Sequence, residues 1–280
     1  MFPRLRLLFL CTGVPVLIGL AVAWIVSLFA EAVGNYEIHF RAAADGSTLI
    51  CGRPLDEIGE AKATVNLVDF RFVVSSVELI RYDGQIFPLA LEQDGVWQRR
   101  DVALIDLEDA TGACEHGTGE TRRVIRGSAP KGNYRGVRFM LGRPDRVDAA
   151  DPALVPILRA AGMQSAAPGS FEPMRIDLAT EPPLQNPAVA SAGAVRIALR
   201  LGSPIQVSLQ DFQPERHAIV ADVGSLASRV LVGQEASSGA RVCEPASDDS
   251  MCHDALRGLG FAVGNDAARA RVFFLVEGRR

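Results

Sequence analysis

The alternation of apolar and polar positions along this chain predicts strands over most of its length. From Val68 to Thr118 the sequence reads VDFRFVVSSVELIRYDGQIFPLALEQDGVWQRRDVALIDLEDATGACEHGT, short apolar or alternating runs separated by Asp83-Gly84, Asp94-Gly95 and Thr111-Gly112. Phe70, Phe72 and Val74 fall on one side of a strand and Arg71 and Val73 on the other, and the Asp83-Gly84 that follows supplies the positive φ of a tight hairpin. Further short strands are expected over Tyr36–Ala43, Thr48–Cys51, Thr121–Gly127, Tyr134–Leu141, Met174–Leu178, Val195–Leu201, Ile205–Phe212 and Ala218–Val223, each bounded by Gly, Pro, Asn or Asp. Helical patterns are few. Asp151-Pro152 gives an N-cap and a first-turn proline for a helix to Ala161, and Asp222–Leu231 and Ser250–Leu259 are two more. Gly52–Ala61 and the Pro- and Ala-rich Ala179–Gly193 lack periodicity and read as loops. The expected fold class is mainly β, an antiparallel β-sandwich-like domain with a few short helices.

The N-terminus breaks this pattern. Arg4 and Arg6 precede an uncharged run from Leu7 to Ala30, and the first acid after it is Glu31. A secretory h-region is about 7–15 residues and a bilayer span about 20, so the run is long enough to span. Residues 1–32 therefore read as a transmembrane anchor, or as a cleaved signal ending at Ala30-Glu31-Ala32, and residues 33–280 as an exported domain on the periplasmic side. Cys11 sits inside the apolar run, with no small residue just before it, and reads as a buried apolar side chain rather than a lipidation site.

With 48% apolar residues and 22% charged, 280 residues can bury a full core. A net charge of −4 provides no basic field for a nucleic-acid backbone, which sets nucleic acid aside. The exported domain keeps Cys51, Cys114, Cys243 and Cys252, and an even count in an oxidising compartment argues for disulfides, with three connectivities open. Cys243 and Cys252 enclose the polar loop EPASDDSM, and Cys51 and Cys114 lie at strand ends where one bond could staple two strands. A metal-thiolate site is the rival reading, but no C-x-x-C pair is present.

Several features together carry a family resemblance: Trp97-Gln98, the ALIDLED run from Ala103 to Asp109, Cys114 with His116-Gly117-Thr118, and Cys51-Gly52. The run from Tyr134 through Gly136, Phe139, Leu141-Gly142 and Pro144 continues it, as do Asp151-Pro152, Met174-Arg175-Ile176-Asp177 and the closing Cys243 to Cys252 pair ahead of Leu259-Gly260. In this order they resemble the MbnP-like family, the methanobactin-operon periplasmic proteins also described as the four-Cys member of the metallo-mystery pair. The resemblance covers nearly the whole exported region. It implies a periplasmic β-rich copper-binding protein acting with a dihaem partner of the cytochrome c peroxidase type that oxidises a tryptophan on it. The chain also departs from the family. Where an Asn-His pair is usual before the Asp-Pro, it has Val147 to Ala150. Where a Met-x-Trp-x-Trp stretch is usual, Met163 to Phe171 keeps the methionine and no indole, and Leu201-Gly202-Ser203 runs directly into Pro204.

The candidate chemistry is correspondingly thin. His39, between Ile38 and Phe40 and on the same strand face as Glu37, is the first metal candidate, because copper favours nitrogen ligands; otherwise it is a histidine on the solvent face of an edge strand. His116 is the second, in a Gly-rich turn, while His217 and His253 have no second ligand at a recognisable spacing. Trp97, the one indole outside the apolar N-terminal run, is the candidate for oxidation, or else a packing residue. Asp101, Asp106, Glu108 and Asp109 make calcium conceivable, but their spacing fits no EF-hand, and they read as strand carboxylates facing solvent. No nucleophile lies beside a base in any known catalytic pattern, so the chain does not read as an enzyme. A non-metal, disulfide-stapled interaction domain is the alternative function.

Overall fold

The computed structural model describes residues 31–44, 46–58, 63–114, 117–142, 158–159, 162–164, 171–181, 195–200, 204–230, 239–243, 252–253, 256–257 and 273–279. The predicted N-terminal membrane or signal helix, His116 and most of the helix expected from Asp151 lie outside them. Among the described residues no helix is long and apolar enough to cross a membrane.

Two sheets account for nearly all the described chain. The first contains β1 (Val33–Ala44), β2 (Ser47–Thr48), β6 (Ala90–Leu91), β9 (Val124–Pro130), β14 (His217–Asp222) and β16 (Phe274–Gly278). Its order is β16-β14-β1-β9-β6, with β2 on β1. The second contains β3 (Leu55–Ile58), β4 (Ala63–Arg81), β5 (Ile86–Pro88), β7 (Gln98–Arg99), β8 (Val102–Asp106) and β10 (Tyr134–Leu141), together with β11 (Met174–Glu181), β12 (Val195–Arg200), β13 (Ile205–Gln210) and β15 (Gly239–Cys243). Its order is β13-β10-β4-β11-β12-β15, with β3, β5 and β8 also on β4 and β7 on β8.

Strand β4 is the spine of the second sheet, and its sequence shows why. Val65 and Leu67, then Phe70, Phe72 and Val74, then Val77 and Leu79 all enter the core, so the inward positions change from odd to even and back. Register against β11 shifts at Val68, and against β10 between Ser75 and Glu78, where Ser76 has φ 50°. Each extra residue is a β-bulge that reverses which side chains face inward and increases the local twist. The expected Phe70–Tyr82 strand is thus the second half of a longer one. Its alternation holds only to Val74, and the hairpin follows: Arg81 and Gln85 close it, and Ile86–Pro88 return as β5.

The sheets meet through aromatic side chains. Phe40 of β1 lies 5.5 Å from Phe72 and 5.9 Å from Phe139, and Phe274 of β16 lies 5.8 and 5.7 Å from the same two rings. Mostly edge-to-face, these four rings join β1 and β16 to β4 and β10 across the core. The helix α1 (Val223–Val230) closes one end, with Val223, Leu226 and Ala227 buried. Asp222 caps it, its carboxylate accepting the Ser225 N–H at 3.0 Å and the Ser225 hydroxyl at 2.6 Å.

Three expectations need correction. The sheets are not wholly antiparallel, because β1 runs parallel to β14 and β12 parallel to β15; alternation encodes which face is buried but not strand direction. Gly52–Ala61 is not all loop, since Leu55–Ile58 forms β3 against the start of β4. Strand β11 runs to Glu181, into the segment read as a loop from Ala179, because the edge of β4 continues to Thr64 and offers it partners.

Removing one ring of the inter-sheet set leaves a cavity that the other three cannot fill. Phe72→Ala should lower unfolding free energy by about 3–5 kcal/mol, read as a lower urea midpoint at unchanged m-value.

Candidate functional site

His39 lies on β1, which is interior to its sheet with β14 on one side and β9 on the other, so it is not an edge-strand residue. Its side chain points away from the core and keeps 26% of its surface exposed. Nε2 is 3.0 Å from Glu37 Oε2. Glu37 Oε1 accepts from Arg126 Nε at 2.9 Å, and Arg279 Nη2 lies 3.7 Å from Oε2. These hydrogen bonds, from Arg126 first and His39 second, hold the Glu37 carboxyl below its usual range. In the neutral ring, an anionic Glu37 makes Nε2 the donor and leaves the lone pair on Nδ1, the arrangement that orients metal-binding histidines. Against a cation, Arg126 and Arg279 share the carboxylate, and Arg41 on the same face is paired with Glu277.

A second concentration of chemistry lies on the far face of β4, beside Leu158 and Gly162. The sequences Asp69-Phe70-Arg71 and Arg175-Ile176-Asp177 pair antiparallel, Arg71 opposite Arg175 and Asp69 opposite Asp177. Phe70 and Ile176 enter the core, and the charges meet on the other side. Arg71 holds Asp69 through Nε at 2.8 Å and Nη2 at 3.0 Å, and Arg175 holds Asp177 at 2.7 Å and Asp69 at 2.9 Å. Asp106 and Glu108 approach the same guanidinium of Arg71, at 4.0 and 3.5 Å. These two acids do not face solvent as expected; both are buried, because the chain after β8 turns under Thr118. Glu108 accepts the Ala110 and Thr118 N–H groups and the Thr118 hydroxyl, which also donates to Asp106. Burial pushes the Asp106 carboxyl up to about 7, against the pull of Arg71, with the charge of Glu108 adding to the rise and Thr118 opposing it. Burial also raises Asp69.

The disulfide adjoins this network. Cys51 and Cys114 are bonded, Cα to Cα 5.8 Å, linking the turn after β2 to the 3-10 turn Gly112–Cys114. The turns touch through glycines: a Cβ on Gly112 would lie 2.3 Å from the Gly52 Cα. A Cβ on Gly117 would lie 1.8 Å from Glu108 Oε2, which explains the glycine after His116. Cys252 is also disulfide-bonded, and the side chain of Cys243, at the end of β15, lies outside the described residues.

Trp97 is half-buried and packs with Phe171 against Val73, Val102, Leu104, Leu158 and Met163, a small apolar cluster on that same outer face. Its neighbour Gln98 was not a candidate from sequence, yet it is buried with all its amide valences filled. Nε2 donates to the Glu92 and Arg126 carbonyls, and Oε1 accepts from the Arg126 N–H and Arg122. Gln98 thereby ties β7 to β9, one sheet to the other; its position directly after Trp97 was the available signal. His217 Nδ1 accepts the Gln213 N–H at 2.9 Å, a turn role. The structure thus keeps His39, Trp97 and the Cys51–Cys114 bond at separate places. Among the described residues the one set of three convergent metal-type donors is Cys51, Glu108 and Cys114, whose sulfurs are bonded to each other.

Comparison with known proteins gives a consistent result. The MbnP family model matches residues 33–244. The structure of MbnP from Methylosinus trichosporium is similar in fold at a TM-score of 0.64 and 22% identity, the match covering 89% of this chain and all of that one. No curated protein sequence matches the chain.

The raised carboxyls make a pH prediction. Between about pH 4, where an unfolded aspartate loses its proton, and about pH 7, where Asp106 does so in the folded chain, the native state holds the extra proton. Its contribution to stability is therefore largest below the unfolded value and is lost as pH rises through about 7. Urea midpoints should fall between about pH 5 and about pH 8, and Asp106→Asn should flatten that slope; an equal slope in the variant contradicts the assignment.

Proposed function

The chain belongs to the MbnP family, and on that premise we propose that it is an exported copper-handling protein that holds one copper ion weakly at His39. The observation that carries the reading is the Glu37–His39 pair on an interior strand, which gives one rigid imidazole with a fixed tautomer and a free Nδ1. Copper bound there would be the redox-active group. The chain's own contribution is to orient the ring, through a carboxylate kept ionised by Arg126. The described residues supply no further free donors to this ring, so they do not complete a copper site. His116 and the segment from Arg143 to Phe171 are the places to seek the remaining ligands, and weak binding is expected. Export follows from residues 1–32, acting as a membrane anchor through 7–30 or as a cleaved signal. The proposed partner is a dihaem protein of the cytochrome c peroxidase type, with half-buried Trp97 as the side chain it would oxidise.

One observation favours the second reading, a disulfide-stapled interaction domain without metal. Three arginines, Arg41, Arg126 and Arg279, stand on the His39 face or share its carboxylate, and they repel a cation.

Elemental analysis followed by calorimetric copper titration of the purified exported domain separates the two. The copper reading predicts at most one weakly bound ion, an affinity lowered about tenfold or more by His39→Ala, and little change in His253→Ala. Tight binding that survives His39→Ala moves the site to the segment from Arg143 to Phe171, and no binding by the wild type leaves the interaction domain.

A further inference from the structure

Away from His39, the Cys51 and Cys114 sulfurs and a Glu108 carboxylate oxygen lie within 4.8 Å of one another, and all three residues are buried. Neighbouring donors in a tetrahedral site with metal–sulfur bonds of about 2.3 Å and metal–oxygen bonds of about 2.0 Å stand roughly 3.5–3.8 Å apart, so small side-chain rotations would suffice. The Glu108 carboxylate has capacity to spare. Among the described residues, Oε1 accepts from the Thr118 N–H and hydroxyl and Oε2 accepts the Ala110 N–H, which leaves Oε2 a lone pair for a cation. The loop that carries Cys114 and Glu108 is also not held by the disulfide alone. It is closed by those same hydrogen bonds, by Cys114 N–H to the Thr111 carbonyl at 2.9 Å and by Gly117 N–H to the Cys114 carbonyl at 2.8 Å.

We propose that reduction of the Cys51–Cys114 bond turns this place into a buried site for one thiophilic cation, zinc or monovalent copper, with both thiolates and Glu108 as ligands. A dithiol reductant cleaves the S–S bond, supplying two electrons and two protons and becoming a disulfide itself. The cation then displaces both thiol protons to solvent. Reoxidation by a disulfide-exchange protein re-forms the S–S bond, passes two electrons to the incoming disulfide and releases the cation. Charge favours the loaded form: the cation balances the two thiolates formed when it binds, and among the described residues Arg71, its Nη2 3.5 Å from Glu108, is the cationic partner of the carboxylate. The site is independent of the His39 reading.

The test uses the full chain with Cys11, Cys243 and Cys252 replaced by serine, reduced with a phosphine and titrated anaerobically with cobalt(II). One cobalt per chain with thiolate-to-cobalt charge-transfer absorption, displaced by zinc and absent from the oxidised chain, is the expected result. Glu108→Gln should weaken binding about tenfold or more, Cys51→Ser or Cys114→Ser should remove the two-thiolate spectrum, and His39→Ala should change nothing. Circular dichroism reports whether each form stays folded. The proposal is overturned by a folded reduced chain without thiolate absorption, by a reduced chain that unfolds, or by Glu108→Gln binding as tightly as the parent.

Discussion

A guanidinium buried in the middle of β4 is the constraint on which the rest of this structure depends. Arg71 has 7% of its side chain exposed, and leaving such a charge unpaired in the interior costs several kcal/mol. It is met by Asp69 on its own strand, by Asp106 at the end of β8 and by Glu108 just beyond, while Arg175 of β11 shares Asp69 from the other side. Satisfying one arginine therefore fixes the register of β8 and β11 on both edges of β4. It also sets where the chain turns after β8, and so where Cys114 meets Cys51. The opposite face of β4 carries the phenylalanines that reach the other sheet, so the same strand organises the core and the charged layer above it.

Much of this was legible in the sequence, and the misses have physical causes. The alternation around Phe70 and Phe72 located the central strand, but bulges at Val68 and Ser76 hide its length, because each reverses the pattern a periodicity argument relies on. Strand direction was not readable, so the parallel pairing of β1 with β14 came only from the structure. Asp106 and Glu108 read as solvent-facing acids, since sequence spacing does not show that a partner on β4 and a threonine twelve residues on will bury them. Gln98 was visible only as part of the Trp97-Gln98 motif and not as a site residue, because sequence spacing does not show a buried amide whose four partners join the sheets.

For the candidate site, Glu37 beside His39 was visible as a same-face pair, but the arginines that hold Glu37 come from β9 and from the end of the chain, far apart in sequence. That neighbourhood puts a well-oriented imidazole in an electrostatically unwelcoming place, which is the physical basis for proposing that any copper held at His39 is held weakly. The disulfide, by contrast, is set against a buried carboxylate and beside a buried arginine, a donor-rich place that oxidation keeps closed.

A double-mutant cycle on Arg71→Met and Asp69→Asn, with unfolding free energies of the four proteins from urea titration, tests the central claim most directly. If the buried ion pair organises β4 as described, each single variant strands a charge and the double variant is less destabilised than the sum by about 1–3 kcal/mol. Additivity to within about 0.5 kcal/mol would contradict it.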